Sequence, residues 1–340
     1  MAKTRYSYLI DFIYSQQTPS ERFGNSYEET AQALEILHYY NAFSIGGIFG
    51  TEKQVDIKTL GNYLENQLSD GIDNSMNVYD IYFILKSLNL LNHKTSDTLL
   101  EKVHEYLNKT SLNEGGFSIN IDTKKPNLIA TFYGMLAFNV LGKDLPNKTL
   151  HLNWILSCNN SDGGYGGNRT LPSTLLTTYQ AISSIIQLGT VNQVVNKTAT
   201  INFLNSLYIN DPNDFERNGG YLPEIHAWFP LLSSTYFCVS ALDLLNSTYL
   251  HESATIKWVL SHQNSLDGGF FDKTEEDVQG SSSITSSYYA FKILQSFNAL
   301  DLLDEDVFTV EFNYVLLGIV LGIIAVAIVI TIYFWRKRKL

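Results

Sequence analysis

Cysteine is scarce in this chain. Two residues in 340, Cys158 and Cys238, cannot build a disulfide framework. Positive charge is short as well: 23 Lys and Arg against 34 Asp and Glu leave a net charge of −11. Four of the cations stand together at Arg336–Lys339, so the rest of the chain is more acidic still. An acidic body excludes nucleic acid as a partner, because phosphate binding needs a basic face. Sustained alternation of apolar and polar residues is missing too, so strands are not expected. Asn, Ser and Thr are abundant, yet no segment is biased enough to read as disordered.

What the chain does have is an apolar fraction of 45%, ample for a core, and one sentence written about six times. Its clearest copy runs from Leu152 to Leu188. A first helix carries Trp154-Ile155-Leu156-Ser157, a turn carries Asp162-Gly163-Gly164-Tyr165, and a second helix opens at Pro172 and carries Thr178-Tyr179-Gln180-Ala181. Aligned on an aromatic followed by an aliphatic residue, the first helices give the column Phe12, Tyr63, Tyr106, Trp154, Phe203 and Trp258. The spacing is roughly 43 to 55 residues, the range of repeat proteins. Thr30, Thr131, Thr178, Thr235 and Ser287 form a second column, usually followed by an aromatic and then a small residue. The second repeat, around Val78-Tyr79-Asp80-Ile81-Tyr82, is the most degenerate.

The turns explain why each unit is a hairpin. Gly115-Gly116-Phe117, Gly163-Gly164-Tyr165, Gly219-Gly220-Tyr221 and Gly268-Gly269-Phe270 place glycine where the chain reverses. The aromatic after each pair is expected to plug the space between neighbouring hairpins. A lone hairpin leaves an apolar face wet, and stacking against neighbours removes it.

Six hairpins punctuated as in Gln263 through Phe270 resemble the repeats of protein prenyltransferase β subunits and their terpene-cyclase relatives. The resemblance covers about Tyr6 to Leu303 and implies an all-α fold, an (α/α)6 toroid. Residues 1–303 would form it, with the second helix of each repeat facing a central cavity. In that family the cavity is apolar, aromatic-lined and used for isoprenoids. The candidates for such a lining are Tyr79, Tyr133, Tyr179, Tyr236 and Tyr288. The same tyrosines also read as core aromatics whose hydroxyls find partners.

The chemistry that the resemblance implies is only thinly represented. Prenyltransferases of this type carry Arg-x-x-Lys-x-x-Asp-x-Cys-Tyr ahead of the fifth inner helix and a His on the sixth, for zinc and diphosphate. With Cys238 as anchor, Pro230, Ser233, Tyr236 and Val239 occupy the other positions, and the sixth helix begins Thr285-Ser286-Ser287-Tyr288 without His. A zinc site needs at least three convergent ligands. Cys238 is therefore a metal candidate that reads better as a packing residue, and no cofactor is expected. His226, His251 and His262 lie on unrelated segments. Terpene cyclases of this kind use Asp-x-Asp-Asp to protonate an alkene. The nearest echo is Ser26-Tyr27-Glu28-Glu29-Thr30-Ala31, with Glu29 the candidate acid. Two acids in a first helical turn are also explained by the helix dipole. Asp162, Asp267, Glu114 and Glu224 beside the glycine turns read as turn-stabilising or solvated residues.

The chain ends on a second signal. After a linker at 304–313, residues 314–335 carry no charge over a length that spans a bilayer, and a basic tail follows at 336–340. Tyr314, Tyr333 and Trp335 stand where interfacial aromatics belong, and the basic tail is expected in the cytoplasm with the toroid outside the cell. Ser7 to Tyr14, short and broken by Asp11, does not read as a signal peptide, so export would need a start upstream of Met1. Six Asn-x-Ser/Thr sequons permit export without requiring it. Gly318 and Gly322 share one helix face, which would admit a second copy. The preferred reading is a single-pass, membrane-anchored toroid without catalysis, binding an apolar, isoprenoid-like ligand or a protein partner. The alternative is an isoprenoid enzyme of the prenyltransferase β-subunit or terpene-cyclase type.

Overall fold

A computed structural model describes residues 4–45 and 53–305. Twelve α-helices pair into six hairpins among them. They are α1 (Arg5–Ser15) with α2 (Tyr27–Tyr39), α3 (Ile57–Asp73) with α4 (Val78–Leu90), and α5 (Asp97–Thr110) with α6 (Leu128–Val140). The other three are α7 (Lys148–Leu156) with α8 (Leu175–Leu188), α9 (Lys197–Asn205) with α10 (Leu232–Asn246), and α11 (Glu252–Ser261) with α12 (Ile284–Ser296). The even-numbered helices pack side by side in chain order, and α12 returns to α2, so they close a ring. The odd-numbered helices lie outside it. Segment 306–340, with most of the expected linker, the expected transmembrane helix at 314–335, and Gly318 and Gly322, lies outside the described residues. Among the described residues no helix is long and apolar enough to cross a membrane.

The threonine column acquires a physical cause here. The aromatic after each glycine turn enters the gap at the start of its inner helix. Phe117, Tyr165, Tyr221 and Phe270 are all fully buried, as is Phe23, which holds the matching place in the first repeat without a glycine pair before it. That takes each aromatic's own backbone N–H out of water, so it needs a partner. The inner-helix hydroxyl supplies one: Phe117 N–H donates to Thr131 Oγ1 at 2.9 Å, Tyr165 to Thr178 at 2.9 Å, Tyr221 to Thr235 at 3.0 Å and Phe270 to Ser287 Oγ at 2.9 Å. Three residues further on, the side chain must be small because the plug lies against it. A Cβ on Gly134 would come within 2.7 Å of the Phe117 ring. Ala181, Cys238 and Ala290 hold the matching positions, all buried. The second repeat lacks this device because residues 74–77 join α3 to α4, too short a link for a glycine turn and a plug.

The first glycine of each pair docks on the next outer helix. A Cβ on Gly163 (φ +91°) would lie 2.3 Å from Ala199 C, and Thr200 Oγ1 donates to Gly163 O at 2.7 Å. The sixth turn finds the first helix instead: a Cβ on Gly268 would lie 2.4 Å from Tyr8 O. Gln263 Nε2 donates to Arg5 O at 2.9 Å, and Arg5 N–H to Glu305 O at 2.9 Å. These contacts close the ring.

Two expectations need correction. Strands do occur among the described residues, as three two-stranded antiparallel ladders: β1 (Ser44–Ile45) with β2 (Lys53–Gln54), β3 (Tyr165–Gly166) with β4 (Ser173–Thr174), and β5 (Phe270–Asp272) with β6 (Ser281–Ser283). Pairs of two or three residues carry no readable alternation. The second helix of the fourth repeat opens at Leu175, not Pro172, because Ser173 and Thr174 pair in the ladder and Thr174 Oγ1 caps the helix by accepting from Thr177 N–H at 3.1 Å.

Candidate functional site

The inner helices share one register, set by their capping residues Ser26, Asn77, Asn127, Thr174, Leu231 and Ser283. Counted from the cap, the fourth residue is the buried plug-binding column, with Ile81 standing in for Thr on α4. The fifth and sixth residues look into the ring. The fifth are Tyr82, Phe132, Tyr179, Tyr236 and Tyr288, with Ala31 on α2. The sixth are Gln32, Phe83, Tyr133, Gln180, Phe237 and Tyr289. All of these except Ala31 line one central cavity of about 510 Å³ of empty space, its open mouth included. Tyr179 lies 5.7 Å from Phe237, nearly parallel to it, and Tyr236 lies 5.2 Å from Tyr289. The Tyr179 and Tyr236 hydroxyls are 3.1 Å apart. Burial pushes the phenols of Tyr133, Tyr236 and Tyr288 well above their ordinary range, so they remain neutral O–H groups.

Four of the five tyrosines singled out in the sequence, Tyr133, Tyr179, Tyr236 and Tyr288, are brought together on this wall. Tyr79 is not. It is the second residue after its cap and accepts from Asn77 Nδ2 at 2.7 Å. Tyr82, one turn on, holds the matching place. The cap position carries the signal that would have found it.

A charged layer lies one turn beyond the aromatics, at the ninth residue from the cap. Glu35 on α2 stands between Lys86 on α4 and Lys292 on α12. Lys86 bonds Glu35 Oε2, Lys292 donates to Oε1 at 3.1 Å, and the Tyr288 hydroxyl donates to Oε2 at 2.9 Å. Burial works to raise the Glu35 pKa, but the two ammonium groups together outweigh it and hold it at about 2. Lys86 also lies 5.5 Å from the Tyr288 ring centre, within cation–π range.

The acids of the first inner helix divide their work. Glu29, the candidate acid, belongs to the helix cap: its N–H donates to Ser26 Oγ at 3.0 Å and its Oε2 accepts from Asn25 N–H at 2.7 Å. Glu28, one residue earlier, lines the cavity and accepts from Gln32 Nε2 at 3.1 Å. Burial first, then the neighbouring Glu29 charge, raises its pKa, which favours the protonated form. The helical turn of 100° per residue separates the two fates, and neither residue's identity reveals which faces inward.

Cys238 is fully buried, and desolvation pushes its thiol well above the ordinary range. His262 is occupied by the Trp258 carbonyl, 2.8 Å from Nδ1, and His251 stacks on Tyr208 with ring centres 3.8 Å apart. Among the described residues no three His, Cys, Asp or Glu converge as a metal site. Asp162 and Asp267 each accept from the second glycine of their turn at 2.9 Å and from a ladder serine.

Comparison with known proteins matches the Prenyltransferase alpha-alpha toroid domain to residues 62–150, 146–223 and 230–312. The chain belongs to that family. A curated relative, the probable geranylgeranyl transferase type-2 subunit beta of Dictyostelium discoideum, is 30% identical over 94 residues, which is 27% of each protein. The alignment thus spans about a quarter of that relative. Among solved structures, Candida albicans protein geranylgeranyltransferase-I complexed with GGPP superposes with a TM-score of 0.57 at 17% identity, over 90% of this chain and 87% of the other. The type II terpene cyclase MstE from Scytonema gives 0.54 at 8% identity, over 88% and 97%. At these identities the superpositions show a common fold.

Proposed function

We propose that the central cavity holds an isoprenoid and that the protein acts on it as an acid–base enzyme of the terpene-cyclase kind. The observation that carries this reading is Glu28: a carboxyl group, biased toward its protonated form, set in a wall of tyrosine and phenylalanine rings. The Glu28 O–H transfers its proton to one carbon of an alkene, and the π electrons form the new C–H bond. The cation left on the neighbouring carbon faces aromatic rings, whose negative faces stabilise it. An internal alkene then attacks the cation. Loss of a proton from the product cation returns Glu28 to its starting state, so no oxidant is needed.

The preference for a non-catalytic toroid draws no support from the relatives, which are named as a transferase subunit, a transferase and a cyclase. Zinc-dependent transfer fits the residues less well than proton transfer does. Cys238 is sealed in the packing column, and Lys86, the cation on the cavity wall, is engaged by Glu35. Heterodimeric assembly is a second reading, favoured by exposed Phe215, Ile225 and Trp228 on the fifth repeat. The charge-free run at 314–335 and the cations after it support a single membrane pass with the toroid outside. Protease shaving of intact cells tests that placement, and protection of the toroid would count against it.

The test of the chemistry uses the full chain with a C20 polyene in D2O. Mass spectrometry should find an isomer carrying deuterium, lost in Glu28→Gln and retained in Glu29→Gln. A ligand that binds and returns unlabelled would refute the acid role.

A further inference from the structure

The sixth-position layer of the ring holds more than aromatics. In order around the ring it reads Gln32, Phe83, Tyr133, Gln180, Phe237, Tyr289. The aromatics form two pairs, Phe83 with Tyr133 at 5.1 Å and Phe237 with Tyr289 at 5.4 Å between ring centres. The two amides separate these pairs. They stand on α2 and α8, three helices apart in a ring of six, and so face each other across the cavity.

Both amides are buried, Gln180 at 0% exposure and Gln32 at 2%. Gln32 has one partner, Glu28, which takes its Nε2 and leaves Oε1 without one. Gln180 has none: neither Nε2 nor Oε1 is hydrogen-bonded within the protein. A buried amide left this way is destabilising, and native proteins satisfy nearly all such groups with protein, water or ligand. Gln180 offers a donor and an acceptor on one planar group, and a hydroxyl answers both by donating to Oε1 and accepting from Nε2.

Charge narrows the ligand further. Lys86, the one cation among the residues that line the cavity, is engaged by Glu35, which also holds Lys292 behind the wall. A diphosphate would have to compete with Glu35 for the Lys86 ammonium.

We infer that the cavity selects a neutral isoprenoid alcohol, and that Gln180 is the residue that recognises its hydroxyl. This rests on the isoprenoid reading above and adds the head group. With the hydroxyl on α8 and Glu28 on α2, the apolar chain crosses the ring between the two aromatic pairs.

Titration calorimetry of the full-length chain in one detergent tests this with three probes: a C20 isoprenoid alcohol, its diphosphate, and the hydrocarbon of the same skeleton. The alcohol should bind about tenfold or more tighter than either of the others, a difference of about 1.4 kcal/mol or more. Gln180→Met and Gln180→Leu should bring the alcohol down to the affinity of the hydrocarbon and leave the hydrocarbon unmoved. Gln180→Met keeps the length of the side chain, so a folding defect in the leucine variant does not decide the matter. The inference fails if the diphosphate binds tightest, if alcohol and hydrocarbon bind equally, or if the Gln180 variants keep the preference. Binding of the hydrocarbon without that preference would sink the Gln180 role alone. Binding of none of the three would sink the isoprenoid reading and this one with it.

Discussion

At the scale of single residues, this site is governed by which ionisable groups are engaged. Glu35 holds two lysines in a partly dehydrated layer. Replacing it with Gln leaves both cations without a counter-charge, which should cost roughly 2–4 kcal/mol in chemical denaturation, as breaking buried pairs does. Its pH signature follows from a lowered pKa. The stabilisation is present above the ordinary carboxylate value of 4.5 and is lost as pH falls toward about 2. His151 contributes in a higher window. Its Nδ1 accepts from Gly116 N–H at 2.9 Å and burial lowers its pKa to about 4, so the folded state binds it neutral. The unfolded chain takes up that proton near pH 6.5, and stability should decline between 6.5 and about 4. Thermal melts across that range should show a decline in the native chain that is flatter in His151→Gln.

At the scale of the hairpin, the plug and its hydroxyl are the unit that repeats. Thr178→Val keeps the shape of the side chain but leaves the buried Tyr165 N–H without its acceptor. The expected cost is about 1–3 kcal/mol, whereas Thr178→Ser should be far milder, since Ser287 already fills this role in the sixth repeat. Equal losses for Val and Ser, measured by urea unfolding, would show that the hydrogen bond is not what the column maintains. This unit was legible in the sequence as Gly-Gly-aromatic and Thr-aromatic-x-small, because each repeat must solve the same local problem. The register of the fourth inner helix residue was legible only where Thr or Ser marked it. On α4, Ile81 hides the column, so the sequence pattern points to Tyr79 where Tyr82 lines the cavity.

At the scale of the molecule, closure distinguishes a ring from a stack. Gly268, at φ +87°, lies where a Cβ would meet Tyr8 of the first helix at 2.4 Å. Gly142 also has positive φ, +63°, but nothing within 4 Å. Gly142→Ala should therefore cost only about 1–2 kcal/mol of backbone strain. Gly268→Val should in addition pry the sixth repeat from the first, with hydrogen exchange rising in α1 and α12 more than in α6. Uniform exchange in both variants would mean that closure contributes little to cooperativity.

The sequence alone was enough to determine the repeat, its count, its helical hairpins and the membership of Cys238 in a packing column. Each of these depends on contacts between residues a few turns apart or one repeat away, so they leave a periodic trace. The cavity was decided by tertiary structure. Six helices contribute one residue each to a layer, and no spacing along the chain shows that Gln32 faces Gln180 or that Glu35 meets both Lys86 and Lys292. The inward face of α2 likewise chose Glu28 over Glu29, because only the closed ring defines which side of a helix is the inside.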